Sequence, residues 1–207
     1  MPRPSNTETR RQQIVEGLMS VMSTSGYGGA TIPLIAKAAG LTTGLVHYHF
    51  DSKQSILIEL VKHLVGLVDA RIPHPSKGAK PASQLAAYID AHLALGDGAS
   101  PTAVACWITI GAEAVNQPEV KAAYQHATRH QLGILENLCE QVLRAEGRGI
   151  KRKREIALGI IAAIEGSYRL LISAPDLIPR GFAAPTVKEM AFGIIAAQPI
   201  ASSKGRK

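Results

Sequence analysis

Apolar residues in this chain recur at intervals of three and four, and nowhere do they alternate with polar ones between hairpin-type turns. The pattern predicts an all-α fold of nine helices, at 5–25, 31–38, 42–49, 52–72, 81–95, 101–115, 117–146, 152–173 and 186–197. Ser5 with Glu8, Asn116 with Glu119 and Thr186 with Glu189 have the spacing of capping pairs, in which side chains satisfy the free amides of a first turn. Pro81, Pro101 and Pro118 fit first turns, where a missing N–H costs nothing. The stretch 73–80 reads as a linker and 198–207 as a mobile tail. SGYGGA at 25–30 follows a helix and not a strand, so it reads as a helix end and turn, not a dinucleotide-binding loop.

The most informative stretch is ATIPLIAKAAGLTTGLVHYHFDSK, residues 30–53. Thr31 is placed to cap a short helix whose first turn tolerates Pro33, with Ile32, Ile35 and Ala36 as its inner stripe. Gly40 stands where the chain must leave that helix in a left-handed conformation, and Thr42 caps the next one. Val46 and Phe50 give this third helix a single apolar edge for docking. The remainder of its surface falls to Thr42, Thr43, Leu45, His47, Tyr48 and His49, with Gly44 leaving room for close approach. Two turns with such a face make a poor core element and a good probe of a major groove, since hydroxyls and imidazoles reach base edges or phosphates and Leu45 suits a thymine methyl. Asp51 and Gln54 read as cap and partner for the fourth helix. Lys53 then lies in a first turn, where a cation opposes the helix dipole; a phosphate contact or free solvation would each account for it.

Charge adds less than its total suggests. The chain carries a net charge of +7, compatible with an anionic partner, yet residues 1–72 hold seven basic and five acidic residues. Most of the excess lies in KRKR at 151–154, read as a solvated face, and in the terminal SKGRK. Cys106 and Cys139 are far apart and show no metal or disulfide spacing, so buried free thiols are expected. The polar N-terminus and the absence of any run of about 18 apolar residues lead us to expect a cytoplasmic protein with no membrane partner.

The motif T-I-x-x-I-A-x-x-A-G-L-T-T-G-x-V-x-Y-H-F-x-S-K, followed by Leu57, resembles the tetracycline-repressor (TetR/AcrR) family, tightly over residues 8–68. The resemblance implies a three-helix helix-turn-helix head at 1–52, binding DNA through Thr31, Thr42, Thr43, Gly44, Leu45, His47, Tyr48, His49 and Lys53. It further implies a helical ligand-binding and dimerisation body at 53–197. His47 departs from the pattern, because an aromatic residue often stands there in this family. The stretch around Ala105, Trp107 and NQPEVKAAYQ resembles the subgroup containing the choline-responsive repressor of betaine synthesis. A single tryptophan makes an aromatic cage for a quaternary ammonium harder to build.

In the body, Tyr88, His92, Trp107, Glu113, Glu165 and Tyr168 are the polar and aromatic groups of an otherwise apolar region, the mixture a ligand pocket requires. Tyr88 and His92 share a face with Leu85 and Ile89, as plain core or as a pocket wall; core is the favoured reading. Glu165 either meets a polar or cationic ligand or lies on a solvent edge. Ile156, Gly159, Ile160, Ala163, Ile164 and Ser167 form one flat face. Val187, Met190, Ala191, Ile194 and Ile195 form another, and together they suit a four-helix homodimer interface. His126 and His130, one turn apart, read as a surface pair and not a metal site. No cofactor, nucleophile–base pair or phosphate loop is visible, so the chain is expected to be no enzyme but a repressor that binds a palindromic operator as a homodimer and is released by a small organic effector. The alternative is an all-helical small-molecule-binding protein or enzyme whose head is only structural.

Overall fold

The computed structural model describes residues 6–74, 78–93 and 100–201. Among them lie nine α-helices and no strand: α1 (Asn6–Gly29), α2 (Ile32–Ala39), α3 (Thr43–His49), α4 (Lys53–Asp69), α5 (Pro81–Leu93), α6 (Pro101–Glu113), α7 (Pro118–Ala145), α8 (Lys153–Ser173) and α9 (Ala183–Ala196). A 3-10 turn, Pro175–Leu177, follows α8. Expected features at Ser5, at 75–77, at 94–95 and at 202–207 lie outside the described residues.

Most helix ends follow from local chemistry. Thr31 caps α2 by accepting from the Leu34 amide at 3.4 Å, and Gly40 ends it at φ 67°. Thr42 caps α3 by accepting from the Leu45 amide at 3.2 Å. Gly26 breaks the helical dihedrals within α1, in the glycine-rich stretch expected to turn. Three caps differ from expectation. At α4 the cap is Ser52, not Asp51: its hydroxyl accepts from the Ser55 amide at 3.0 Å while Ser55 Oγ accepts from the Ser52 amide at 3.2 Å, a reciprocal box that leaves Gln54 free for other work. At α7 the cap position is Gln117, one residue later than Asn116, since its carbonyl takes the first intrahelical bond, from Lys121, at 2.8 Å. α9 starts at Ala183, three residues before Thr186, because Pro185 still falls in a first turn that needs no amide hydrogen.

The described residues form two compact units that do not follow a single cut at 52/53. The first runs to Leu67 and resumes at Ser100–Ala127. Its core is Ile14, Val15 and Leu18 of α1, Ile35 of α2, Val46 and Phe50 of α3, Ile56, Leu57 and Leu60 of α4, and Ile110 of α6. The helices α1 and α2 cross closely at Gly17, where a Cβ would lie 2.8 Å from the Ile35 carbonyl oxygen. The second unit holds the rest, built on α5, the later part of α7, α8 and α9. Leu85, Ile89, Leu135, Leu143, Ile160 and Ile195 lie in its core.

Two expectations about the second unit change. Lys153 bonds Glu140, which also takes Arg144 at 2.6 Å, and Arg154 reaches Glu136 at 2.6 Å. Half of the KRKR run therefore staples α8 to α7, where a solvated face was expected. The hydrogen bond from Lys153, then that from Arg144, hold the Glu140 carboxyl below its ordinary range. Residues 198–201, placed with the tail, are anchored: the Gly149 amide donates to Pro199 O at 2.9 Å, Ala201 N to Gly147 O at 2.8 Å, and Gln198 is buried.

Of the faces offered for dimerisation, Ile156, Ile160, Ile164 and Ser167 of α8 and Val187, Ala191 and Ile195 of α9 are buried within the chain. The outward arcs keep Gly159, Met190 and Ile194 from those faces and add Leu158, Ala162, Gly166 and Leu170 on α8 and Gly193 and Ala196 on α9. By length and composition α8 is apolar enough to cross a membrane, but Ile156, Ala157, Ile160, Ile164 and Tyr168 are core of this unit, and Glu155, Glu165 and Arg169 interrupt it.

Candidate functional site

In the first unit the third helix is docked by two side chains. Val46 and Phe50 are buried, and each stabilises the contact by about 1.5–3 kcal/mol. Everything else on α3 faces outward: Thr42, Thr43, Gly44 and His47 are exposed, Leu45 and His49 are half-buried, and Tyr48 is 79% exposed. The Tyr48 and His49 rings meet edge to face, 5.0 Å apart. Thr31 is exposed at the start of α2, its hydroxyl engaged in the cap.

Two cations that sequence reasoning undervalued hold this surface in place. Arg11 of α1 donates to the carbonyl of His49, the last residue of α3, at 2.7 Å. Its guanidinium also lies 4.1 Å over the Phe50 ring and reaches Glu59 of α4 at 3.4 Å, where Lys62 also binds. One side chain thus satisfies an end carbonyl of α3, covers its anchor ring and pairs with the next helix. No local signal betrays this, because its partners stand 38 to 48 positions away. Lys53, expected to meet a phosphate or to be free, is occupied in another way: its ammonium donates to Tyr27 O at 2.8 Å and lies 4.2 Å over the Tyr27 ring. The carbonyl of α1 offsets the unfavourable position of a cation in the first turn of α4.

Trp107 and Glu113 belong to this same unit. Trp107 is buried with its ring 5.0 Å from that of Tyr124. Glu113 accepts from Gln117 at 2.6 Å, and Gln117 with Glu119 binds Gln54, so polar side chains link α4, α6 and α7.

The second unit gathers Tyr88, His92 and Tyr168. His92 Nδ1 lies 2.9 Å from the Tyr168 hydroxyl, which donates to the His92 carbonyl at 3.2 Å; the Tyr88 ring packs 4.8 Å from the imidazole. All three are buried, as a core reading of Tyr88 and His92 required, and His92 Nε2 is buried with no hydrogen-bond partner among the described residues. Glu165 is half-buried on α8, and its charge, after burial, helps keep the Tyr168 hydroxyl protonated. Beside Tyr88 opens a cleft of about 280 Å³ whose apolar walls are Ile72, Pro73, Ala79, Ala87, Ile134 and Leu138. The thiols of Cys106 and Cys139 are buried and free; burial pushes them to about 11 and about 12. His126 and His130 are both exposed, and His130 reaches Asp69 at 3.5 Å.

Burial, and then the positive charge of Arg71, lower the His92 pKa from its ordinary 6.5 to about 4. The native state therefore takes up this proton later than the unfolded chain as pH falls. The stability tied to neutral His92 is complete above about pH 6.5 and drains away through the window down to pH 4, by up to about 3 kcal/mol. Denaturant melts at pH 7.0 and 4.5 should show a larger drop for the native sequence than for His92→Phe, which cannot titrate. Equal drops would remove His92 from the account.

Comparison with known proteins agrees with this geometry. Residues 14–60 match the family described as "Bacterial regulatory proteins, tetR family", and residues 81–193, over half the chain, match "BetI-type transcriptional repressor, C-terminal". The chain therefore belongs to the TetR family of bacterial transcriptional regulators, and its function is regulatory, not enzymatic. Its body is of the BetI type. The HTH-type transcriptional regulator BetI of Stenotrophomonas maltophilia is 28% identical over 197 residues, covering 94% of this chain and 95% of the relative. A transcriptional regulator from Rhodococcus sp. shares the fold at TM-score 0.79 and 21% identity, covering 93% of this chain and 99% of its own. A regulator from Saccharomonospora viridis, solved in complex with choline, does so at TM-score 0.74 and 20% identity, with 90% and 95% covered.

Proposed function

We propose that the protein is a homodimeric, effector-responsive repressor that reads a palindromic operator through α3. The observation that carries this reading is the docking of α3 through the buried side chains of Val46 and Phe50, which leaves Thr42, Thr43, Gly44, His47 and Tyr48 exposed and Leu45 and His49 half-buried at its edge. In a major groove the Thr43 hydroxyl and His47 imidazole would meet base edges, while Thr31, Thr42 and Tyr48 would meet phosphates. Lys53, held by Tyr27, serves the interface by fixing the start of α4, and its charge reinforces attraction to the backbone.

The outward apolar arcs of α8 and α9 support dimerisation, since exposed Leu158, Leu170, Met190 and Ile194 on adjacent helices are a surface a lone chain gains nothing by showing to water. Two α3 helices spaced by one DNA turn, about 34–36 Å, would engage half-sites of a palindrome together. An effector held near Tyr88, His92, Glu165 and Tyr168 would release DNA by binding better to a conformation with a different spacing.

Selection of bound duplexes from a random pool, followed by fluorescence anisotropy, tests the reading. The native protein should enrich a two-fold symmetric sequence. His47→Ala or Thr43→Ala should relax preference at one position per half-site by about 1–3 kcal/mol, whereas Tyr48→Ala should weaken all sequences alike. Recovery of no preferred sequence would overturn the assignment.

A further inference from the structure

Resting on the reading that the second unit binds an effector, we propose that the cleft beside Tyr88 takes a neutral, largely apolar organic molecule bearing a hydroxyl or carbonyl group, and not a quaternary ammonium ion. The polar groups among its described lining residues are exposed His74, Ser83, half-buried Gln84 and Tyr88. Gln84 commits one amide hydrogen to the Ala79 carbonyl at 3.1 Å, which fixes the amide and leaves its oxygen as an acceptor. Hydroxyl and amide groups such as these orient a partner that both donates and accepts.

A permanent cation is poorly served here. Moving one out of water demands a carboxylate or several aromatic faces, and the described lining offers no carboxylate, one exposed imidazole and a single phenol ring. That ring, Tyr88, already packs against His92. Two opposite charges act beside the cleft, that of Asp69 at Tyr88 and that of Arg71 at His92, so no single negative charge is left to draw a cation in. A fixed anion fares no better, because no Lys or Arg is among the described lining residues. The volume, about 280 Å³, lies at the small end for organic ligands, which run from about 300 to 1,000 Å³. This sets the chain apart in ligand class from the structural neighbour that holds choline.

Titration calorimetry on the full chain with octan-1-ol, octanoate and octyltrimethylammonium separates the charge classes at matched chain length, and choline adds the short quaternary ammonium ion. Octan-1-ol should bind at least about tenfold more tightly than either ammonium ion or octanoate. Ala87→Phe, which fills the cleft, should abolish that binding, and Gln84→Leu should weaken it roughly three- to tenfold. Thermal melting checks that both variants are folded, and Gln84→Glu, which keeps an acceptor oxygen in the cleft, should lose less affinity than Gln84→Leu. Failure of octan-1-ol to bind, equal or tighter binding of choline or octyltrimethylammonium, or unchanged binding in folded Ala87→Phe would overturn the proposal. Octan-1-ol binding that leaves affinity for the selected operator unchanged would instead sink the effector role while upholding the ligand class.

Discussion

Ile160→Asp is expected to unfold the second unit, whereas Ile194→Asp should leave the chain folded and make it monomeric. Ile160 is 3% exposed in the core, where a carboxylate would be stripped of water, and such a substitution costs about 3–5 kcal/mol, a large part of a domain's stability. Ile194 is 41% exposed on the outward arc of α9 with Met190 beside it, so a charge there stays in water in the single chain. At a two-fold interface each substitution appears twice, and two like charges brought together without water oppose association on both sides. Sedimentation velocity at micromolar concentration, with circular dichroism melts, distinguishes the two effects. A dimeric Ile194→Asp variant would remove this face as the interface.

Arg11→Met is expected to weaken binding to the selected operator about ten- to hundredfold with little change in helical content. A two-turn helix has no stability of its own, so its orientation depends on what holds it. Val46 and Phe50 set its depth; Arg11, through the His49 carbonyl, the Phe50 ring and Glu59, fixes its far end. A charge-assisted hydrogen bond contributes about 1.5–3 kcal/mol, and its loss leaves α3 free to rock out of register with the bases. Positioning predicts a specific signature: the ratio of operator to random-sequence affinity should fall, and Arg11→Lys, which keeps the charge but not the fork, should restore it only in part. If both affinities fall equally, Arg11 acts through charge alone and the positioning role is wrong.

Local chemistry explains why so much of the head was legible. Thr31, Gly40 and Thr42 act on atoms within four or five residues of themselves, so caps and ends appear in the sequence as spacings. The docking edge Val46–Phe50 is likewise a one-turn pattern, and once it is known the rest of α3 must face away. Cap choice between neighbours was less legible. Asp51, Ser52, Gln54 and Ser55 offer rival pairs, and the path of the chain into α4 selected the two serines.

What only the tertiary structure decided are the long-range partners and the choice between apolar faces. Arg11 and Lys53 read as ordinary basic residues until His49, Phe50 and Tyr27 arrive beside them. Trp107 and Glu113 are grouped by composition with Tyr88 and His92, yet their contacts lie with Tyr124 and Gln117. In α8 and α9 apolar residues occur around most of the circumference, so periodicity locates the helix without naming its inner side. Packing of α5, α8 and α9 on one another turned Ile160 and Ile195 inward and left Leu158 and Ile194 outside. An amphipathic helix declares its face by contrast between polar and apolar positions; where that contrast is missing, only neighbouring helices supply the direction.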